Sequence, residues 1–379
     1  ENLRTALNLS GGERERLRIA AALGGFWYIR GYVREGRKWL QTAIEENPEA
    51  SPPLRSKALK ALGDLCWAMA DYPEAWAIHQ ENLALQQDRG DTRGVAYTLH
   101  SLGLILYHQG ENARSCVLYD QSLALVRQLD DRRALGVILT NLAIAQKDRG
   151  EYEAAQQSLT EAEALLRAEG NLRGLAGNLH SQALIAKRCS GYTAAKILLE
   201  KCLALYTELQ DRHGIASTLH TRGEVAYYEG DYALARARYD EALPIFEELG
   251  AKRYVAGTLC NLGELACTLG DFAESRTYHK RSLRLEQEAQ NQGGILGSLS
   301  GFATLEQAMG HLERAARLYG AVMTHYERFG TPLPPNVLSE HEAHVDALRA
   351  ALGESEFTQL WAEGAALSLE QAIDFAAVL

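Results

Sequence analysis

The sequence repeats itself every 40 residues, and this recurrence restricts the chain to folds that stack one small unit. A short turn motif, most often a glycine, an acidic residue and an aromatic residue, recurs in one register. Its copies are Arg30-Gly31-Tyr32, Ala70-Asp71-Tyr72, Gly110-Glu111-Asn112, Gly150-Glu151-Tyr152, Ser190-Gly191-Tyr192, Gly230-Asp231-Tyr232, Gly270-Asp271-Phe272 and Gly310-His311-Leu312. A column of glycine or alanine, from Gly63 to Ala303, keeps the same period. The recurrence predicts eight copies of one structural unit.

Within a unit, the apolar residues follow the period of an amphipathic α-helix. Val95, Leu99, Leu102 and Leu106 recur at steps of three and four residues, and a second stripe follows over 113–128. The glycine of the turn motif suits a left-handed helix end, and the acidic residue after it suits the cap of a second helix. We expect two antiparallel helices per unit. We also expect the column of small residues to let their two backbones approach.

A single helical hairpin buries too little apolar surface to be stable, so neighbouring hairpins must stack and share a core. The sequence therefore predicts an all-α fold, an α-solenoid. Beyond the repeats, Pro332, Pro334 and Pro335 interrupt the period. We expect two or three short helices after them to cover the last hairpin as a cap.

The turn and its surroundings carry a family resemblance. Gly230-Asp231-Tyr232, with Ala235 five residues after the glycine, resembles the tetratricopeptide repeat (TPR), although the unit here has 40 residues and not about 34. The resemblance covers 13–328, with Glu35 and Ser115 in place of the alanine and Asn112 in place of the aromatic residue. It implies about eight TPR-like hairpins that form a right-handed superhelix with a C-terminal helical cap.

The two ends resemble the borders of the C-terminal repeat region of bacterial STAND and LuxR-like transcriptional regulators. The residues that carry this resemblance include Phe26-Trp27-Tyr28-Ile29, Ser51-Pro52-Pro53-Leu54, Pro332-Leu333-Pro334-Pro335 and Trp361-Ala362-Glu363-Gly364. The resemblance implies a sensor region joined to an upstream ATPase and effector domain. Because the chain opens at Glu1 without a methionine, we expect it to be part of such a longer protein.

These patterns predict three regions. Residues 1–50 form an N-terminal helical segment with a first, atypical hairpin. Residues 51–330 form the tandem repeats of 40-residue period, and residues 331–379 form the C-terminal capping helices.

Composition excludes several classes of protein. The chain has 39 basic and 49 acidic side chains, a net charge of −10 and a pI near 5.6, which argues against direct nucleic-acid binding by this segment. No apolar stretch approaches the roughly 18 residues of a membrane-spanning helix. The six cysteines are scattered without a C-x-x-C pair, which favours a reducing, cytoplasmic location.

No catalytic motif is present in the sequence, so we expect no enzymatic activity and no cofactor. The chain has no G-x-x-x-x-G-K-[ST], no G-x-S-x-G and no H-E-x-x-H. Cys260 and Cys267 lie two helical turns apart, and His220 could approach them from the preceding unit. Because zinc needs four ligands and no fourth is suggested by spacing, free thiols are the preferred interpretation.

The resemblance also indicates a binding surface. In this repeat class the first helix of each unit lines a concave groove. If the small residue is the eighth helical position, positions 2, 5, 6, 9, 12 and 13 face the groove; we call these positions the inner face. The candidate groove residues are Tyr97, His100, Tyr107, Asn141, Lys147, His180, Lys187, Arg188, His220, Tyr227 and Asn261.

Asparagine at the sixth position resembles the asparagines that hold the backbone of a bound peptide in related repeats, because an amide both donates and accepts. The alternative for each side chain is contact with solvent or with the neighbouring repeat. Together, the two resemblances imply a non-enzymatic sensor module of a bacterial signal-transduction or transcriptional regulator, which recognises a peptide, protein or small ligand. A constitutive scaffold for protein-protein interaction is the alternative function.

Overall fold

The computed structural model describes residues 13–29, 31–69, 71–189, 191–329 and 335–377. Residues 1–12 of the predicted N-terminal segment, the turn residues Arg30, Ala70 and Ser190, and Pro332 and Pro334 of the tail lie outside the described residues. The described part contains 19 helices and no strand, which confirms the predicted all-α class.

The helices pack as consecutive antiparallel hairpins in two compact units, one up to Asn171 and one from Leu172. The first unit contains α1 (Glu13–Ile29), α2 (Val33–Glu45), α3 (Pro52–Ala68), α4 (Tyr72–Asp88), α5 (Thr92–His108), α6 (Asn112–Gln128), α7 (Arg132–Asp148) and α8 (Tyr152–Ala168). The second unit contains α9 (Leu172–Arg188), α10 (Tyr192–Glu208), α11 (Arg212–Tyr228), α12 (Tyr232–Glu248), α13 (Lys252–Thr268), α14 (Phe272–Glu288), α15 (Gln292–Ala308), α16 (Leu312–Phe329), α17 (Pro335–Leu352), α18 (Glu354–Ala365) and α19 (Leu369–Ala377). Each unit thus has four hairpins, and the second adds three helices.

Neighbouring hairpins share a core within each unit, as the stacking argument requires. In the first unit, Leu102 and Ile105 of α5 belong to the same buried cluster as Leu62 and Leu65 of α3. In the second unit, one buried cluster joins residues of α11, α12 and α13. Among the described helices, none is long and apolar enough to cross a membrane.

The turn glycines end the first helices in left-handed residues, as predicted. Gly110, Gly150, Gly230 and Gly270 have φ between 80° and 82°, a region that side chains with a Cβ rarely adopt.

The acidic residue after the glycine caps the second helix only where it is aspartate. Asp231 accepts from the backbone N–H of Leu234 at 3.1 Å, and Asp271 makes the same contact one repeat later. Glu111 and Glu151 make no such bond. The capping prediction is confirmed at Asp231 and Asp271 and wrong at Glu111, Glu151 and Asp71. Glutamate is one methylene longer and is a poorer N-cap, and the Asp71 carboxylate pairs instead with Arg37 at 3.1 Å.

The column of small residues has a different role from the predicted one. A Cβ on glycine at this position would lie 2.5 to 2.7 Å from a ring on the second helix of the same hairpin, so the ring packs over the first helix. The pairs are Gly63 with His79, Gly103 with Tyr119, Gly223 with Tyr239 and Gly263 with His279. In two intervening repeats, alanine at 143 and 183 shares the register with leucine at 159 and 199. At these four positions the glycine makes room for an aromatic ring and not for the other backbone. In the last repeat, Ala303 shares the register with Tyr319.

Two backbones do approach closely where the predicted cap meets the last hairpin. A Cβ on Gly364 of α18 would lie 1.9 Å from the carbonyl oxygen of Arg317 in α16, and Gly320 faces the carbonyl of Trp361. Around this crossing, Arg317 pairs with Glu363 at 2.8 Å. The C-terminal helices therefore cover the last repeat, which confirms the predicted cap.

Candidate functional site

The inner face is positioned by the eighth residue of each first helix. That residue is buried under a ring or a leucine of the second helix, so the inner-face positions lie on the side of the first helix that is not covered by the second helix. All eleven candidate groove residues are half-buried, so their side chains reach both the surface and the neighbouring repeat.

In the first unit, a hydrogen bond joins His100 and Asn141, which lie on adjacent first helices; we call such a bond between first helices a rung. The Asn141 amide donates to Nε2 of His100 at 2.7 Å, and the His100 ring lies over Tyr119 with centroids 5.7 Å apart. Burial, with a smaller contribution from the Lys60 ammonium, lowers the pKa of His100 to about 4. The imidazole is therefore neutral at pH 7 and can accept this bond.

The other candidates of the first unit also contact the next repeat. The Tyr97 hydroxyl donates to Asp131 at 2.6 Å, and the Tyr107 hydroxyl donates to Asp148 at 2.8 Å. Lys147 pairs with Asp148 at 2.8 Å. Burial and the hydrogen bond to Asp131 raise the pKa of Tyr97, so its hydroxyl keeps its proton.

The second unit repeats the rungs with other side chains. His180 contacts the Thr221 hydroxyl at 2.9 Å. His220 contacts the Thr258 hydroxyl at 3.0 Å, and the Asn261 amide donates to its Nε2 at 3.4 Å. Burial lowers the pKa of His220, although Glu224 opposes this shift.

The remaining candidates of the second unit form ion pairs and ring contacts. Lys187 donates to Glu224 at 2.8 Å, and the Tyr227 hydroxyl contacts that of Thr268 at 3.0 Å. Burial alone would raise the pKa of Glu224, but the charge and the hydrogen bond of the Lys187 ammonium beside it hold that pKa below its ordinary value. Arg188 is half-buried at the end of α9 and interacts with its neighbours.

Most of these contacts obey one rule, which the sequence analysis missed. A side chain at the fifth position bonds the sixth position of the next repeat, 41 residues later, and the twelfth bonds the thirteenth in the same way. The rungs are His100 with Asn141, His180 with Thr221, His220 with Asn261, Ser300 with His341, Tyr107 with Asp148 and Tyr227 with Thr268. A search of the sequence for polar side chains 41 residues apart, in addition to the search for the period of 40, would have identified these pairs.

The rungs determine what the inner face can do chemically. The amides of Asn141 and Asn261 are already engaged by histidine, so a ligand would meet them as parts of a rung. The alternative of contact with the neighbouring repeat thus holds for these residues in the structure described, while their contact with a ligand stays a prediction. His220 uses both ring nitrogens on Thr258 and Asn261. In the described residues, no group of three or more His, Cys, Asp or Glu is placed to hold a metal ion.

Replacing Asn141 by alanine is expected to lower the free energy of unfolding by about 1 to 2 kcal/mol, because it leaves Nε2 of the half-buried His100 without its donor. Asn261→Ala is the matched control. His220 keeps its contact with Thr258, and the lost bond is longer at 3.4 Å, so a smaller loss is expected. Denaturant unfolding of both variants measures the difference. Equal losses would contradict the assignment of the stronger rung to His100.

Acid is expected to destabilise the chain between pH 6.5 and 4. Burial lowers the pKa of the fully buried His279 from 6.5 to about 4, so the unfolded chain binds a proton in this window that the folded chain does not. The stability contributed by the neutral ring is complete above pH 6.5 and is lost as the pH falls. For His279 the loss at pH 5 is about 2 kcal/mol. His279→Gln should reduce the fall in unfolding free energy between pH 7 and pH 5 by this amount. An unchanged fall would show that His279 titrates normally.

Family models described as tetratricopeptide repeat match residues 58–93, 94–168, 175–248 and 255–289, which together are more than half of the chain. A search of curated protein sequences found no match.

Solved structures show the same fold at low sequence identity. A Rap protein complexed with Competence and Sporulation Factor superposes with a TM-score of 0.63 at 13% identity, over 96% of this chain and 96% of that chain. The apo form of the quorum sensor NprR from B. thuringiensis gives 0.61 at 13% identity, over 85% and 90%. The apo form of RapI gives 0.60 at 13% identity, over 72% and 98%.

Proposed function

Because this chain belongs to the tetratricopeptide-repeat family, we propose that it is a non-enzymatic module that binds a peptide or protein segment on the inner face of its first helices. The observation that carries the proposal is the half-buried state of the inner face. In repeat after repeat, the same positions hold histidine, tyrosine, asparagine and lysine side chains that are half-buried, beside a core of fully buried leucine, alanine and aromatic residues.

Such a surface suits a polypeptide partner. Aromatic side chains supply apolar contact area, while hydroxyl and amide groups pair with a peptide backbone. A single neutral hydrogen bond contributes only about 1 kcal/mol, so affinity must come from several repeats acting together. A periodic array offers the same kind of contact at regular intervals, as an extended polymer requires.

The structural comparisons support this proposal. One similar structure is a Rap protein complexed with Competence and Sporulation Factor, and another is a quorum sensor. At 13% identity these similarities concern the fold, which is one that can hold a regulatory ligand.

We further propose that the module acts as the sensor of a bacterial regulator, with an upstream ATPase and effector domain in the full-length protein. The resemblance of both ends of the chain to STAND and LuxR-like regulators supports this role. A sensor must bind its ligand with different affinity in two conformations, whereas a constitutive scaffold need not. A ligand that changes the hydrogen exchange of helices it does not contact would favour the sensor, and exchange changes confined to the contact would favour the scaffold.

Peptide binding tests the proposal directly. The chain is challenged with a synthetic library of unstructured peptides of about twelve residues, which span up to ~40 Å when extended. Tyr227→Ala on the inner face should weaken the selected peptides by about tenfold or more. Ile197→Ala is the control, because this residue is 50% exposed on the second helix α10. No selected peptide, or equal loss in both variants, would refute binding at the inner face.

A further inference from the structure

The first hairpin carries positive charge in a chain that is acidic as a whole. Residues 13–45, which include α1 and α2, hold seven basic and four acidic side chains, whereas the whole chain holds 39 and 49. Three of these basic side chains have acidic partners, namely Arg16, Arg18 and Arg37. Arg34 and Lys38, one turn apart on α2, are exposed and make no ion pair with any described residue. At least two cationic side chains of this hairpin are therefore available to a partner.

Exposed aromatic rings stand beside these cations. Tyr32, directly before α2, is 52% exposed, and Phe26 of α1 is 38% exposed. Their rings stack with centroids 6.2 Å apart. Aromatic side chains and arginine are both enriched at protein–protein interfaces. We call Phe26, Tyr32, Arg34 and Lys38 the head face.

The C-terminal cap has the opposite charge. Residues 335–377, which include α17, α18 and α19, hold eight acidic side chains and one basic side chain, Arg349. The Arg349 guanidinium is shared between Asp346 at 3.2 Å and Glu354 at 3.3 Å. Glu342 on α17 is exposed and makes no ion pair among the residues that the structure describes. The cap therefore carries negative charge that its own residues do not neutralise.

Helix α17 follows the register of a first helix, but no described second helix covers it. Ala343 stands 40 residues after Ala303 in the column of small residues, and His341 forms a rung with Ser300 at 2.6 Å. In the seven preceding repeats the small residue is buried, whereas Ala343 is exposed. The reason is that α18 packs mainly on α16. The position that receives a ring or a leucine in the other repeats is therefore open.

The open side of α17 combines small residues with carboxylates. Ala343, Asp346 and Ala350 recur at steps of three and four residues, so they share one side of the helix, and all three are exposed. Asp346 is 74% exposed in spite of its contact with Arg349. An alanine on this side leaves room for a ring. We call Glu342, Ala343, Asp346 and Ala350 the tail face.

We propose that copies of this chain associate head to tail, with the tail face of one copy docked on the head face of the next. The cations of the head face meet the carboxylates of the tail face, and its two rings meet the alanines. Two head faces would bring like charges together, so a symmetric contact is disfavoured. A contact between unlike surfaces joins copies into a ring or an open chain.

The charge pattern favours a second copy over the first residues of the same chain as the occupant of the head face. Residues 1–12 hold one acidic and one basic side chain, so they would not neutralise Arg34 and Lys38. The cap supplies the carboxylates and is part of every copy. The inference goes beyond the proposed function, since neither face includes any of the eleven candidate groove residues.

Analytical ultracentrifugation of the full chain tests the inference. The weight-average mass should rise with concentration from about 5 to 500 µM and fall again when NaCl is raised from about 50 to 500 mM. Lys38→Glu should weaken the self-association at least about tenfold. Lys201→Glu is the matched control, because Lys201 of α10 is also exposed, makes no ion pair with a described residue and undergoes the same change of charge. Both variants should keep the unfolding midpoint of the wild type, since both side chains are exposed.

The tail face is tested by the reciprocal change. Glu342→Lys should weaken the self-association as Lys38→Glu does, and the two changes combined in one chain should restore it, because they exchange the charges of the two faces. A mass that does not depend on concentration would overturn the inference. Equal losses in Lys38→Glu and Lys201→Glu, or a combined variant as weak as either single one, would also overturn it. None of these results bears on binding at the inner face.

Discussion

Replacing Gly364 by alanine is expected to detach the C-terminal cap from the last repeat. The new Cβ would lie 1.9 Å from the carbonyl oxygen of Arg317 and 2.7 Å from its carbonyl carbon, and neither backbone atom can rotate away. Overpacking of this kind typically costs 1 to 3 kcal/mol, and we expect about 3 kcal/mol or more here because both partners are helix backbones. The unfolding midpoint and the hydrogen exchange of α18 and α19 measure the effect.

Gly297→Ala provides the matched control in the same unit. Both glycines are helical, but the Cβ at 297 meets nothing within 4 Å. This substitution should raise the unfolding free energy by up to about 1 kcal/mol, the usual preference for alanine in a helix. If Gly364→Ala were as stable as Gly297→Ala, with protected amides in α18, the close crossing of α16 and α18 would be wrong.

Tyr239→Leu and Gly223→Ala are each expected to destabilise the second unit. The double variant is expected to lose less unfolding free energy than the sum of the two single losses. Tyr239 is 2% exposed and packs over Gly223, so leucine leaves a cavity that costs about 2 to 3 kcal/mol. Alanine at 223 would place its Cβ 2.5 Å from the Tyr239 ring. The ring would have to shift, which costs about 1 to 3 kcal/mol. Together they recreate the alanine and leucine that the preceding repeat has at 183 and 199.

A double-mutant cycle measures the coupling, which we expect to be favourable by about 1 to 2 kcal/mol. Tyr239→Leu combined with Gly25→Ala is the control pair, because the two sites lie in different units and should add independently. Simple additivity of Gly223→Ala and Tyr239→Leu would contradict the packing of the ring over the small residue.

The fold could be predicted from the sequence because the same pattern recurs in each repeat. A period of 40 residues, a helical apolar stripe and a turn glycine occur together in successive units, so a single deviation such as Asn112 has little weight. The pattern could not predict which side chain packs against the small residue. Gly103 and Tyr119 belong to different helices of a hairpin, and their contact follows from the crossing of those helices and not from the spacing within either one.

The candidate site was predictable in position and not in chemistry. The helical register placed all eleven candidates at half-buried positions. The register could not show that Nε2 of His100 would accept a hydrogen bond from Asn141, because that bond depends on how far one first helix is shifted along the next.

The account rests on the claim that a peptide ligand lies on the first helices. A peptide selected on the wild-type chain and carrying a photoreactive benzophenone at successive positions tests this most directly, with cross-linked residues identified by mass spectrometry. We predict that the cross-links fall on inner-face positions of the first helices, including those of α13 and α15. Cross-links confined to second helices such as α10 and α12, or to the cap helices α18 and α19, would contradict the account.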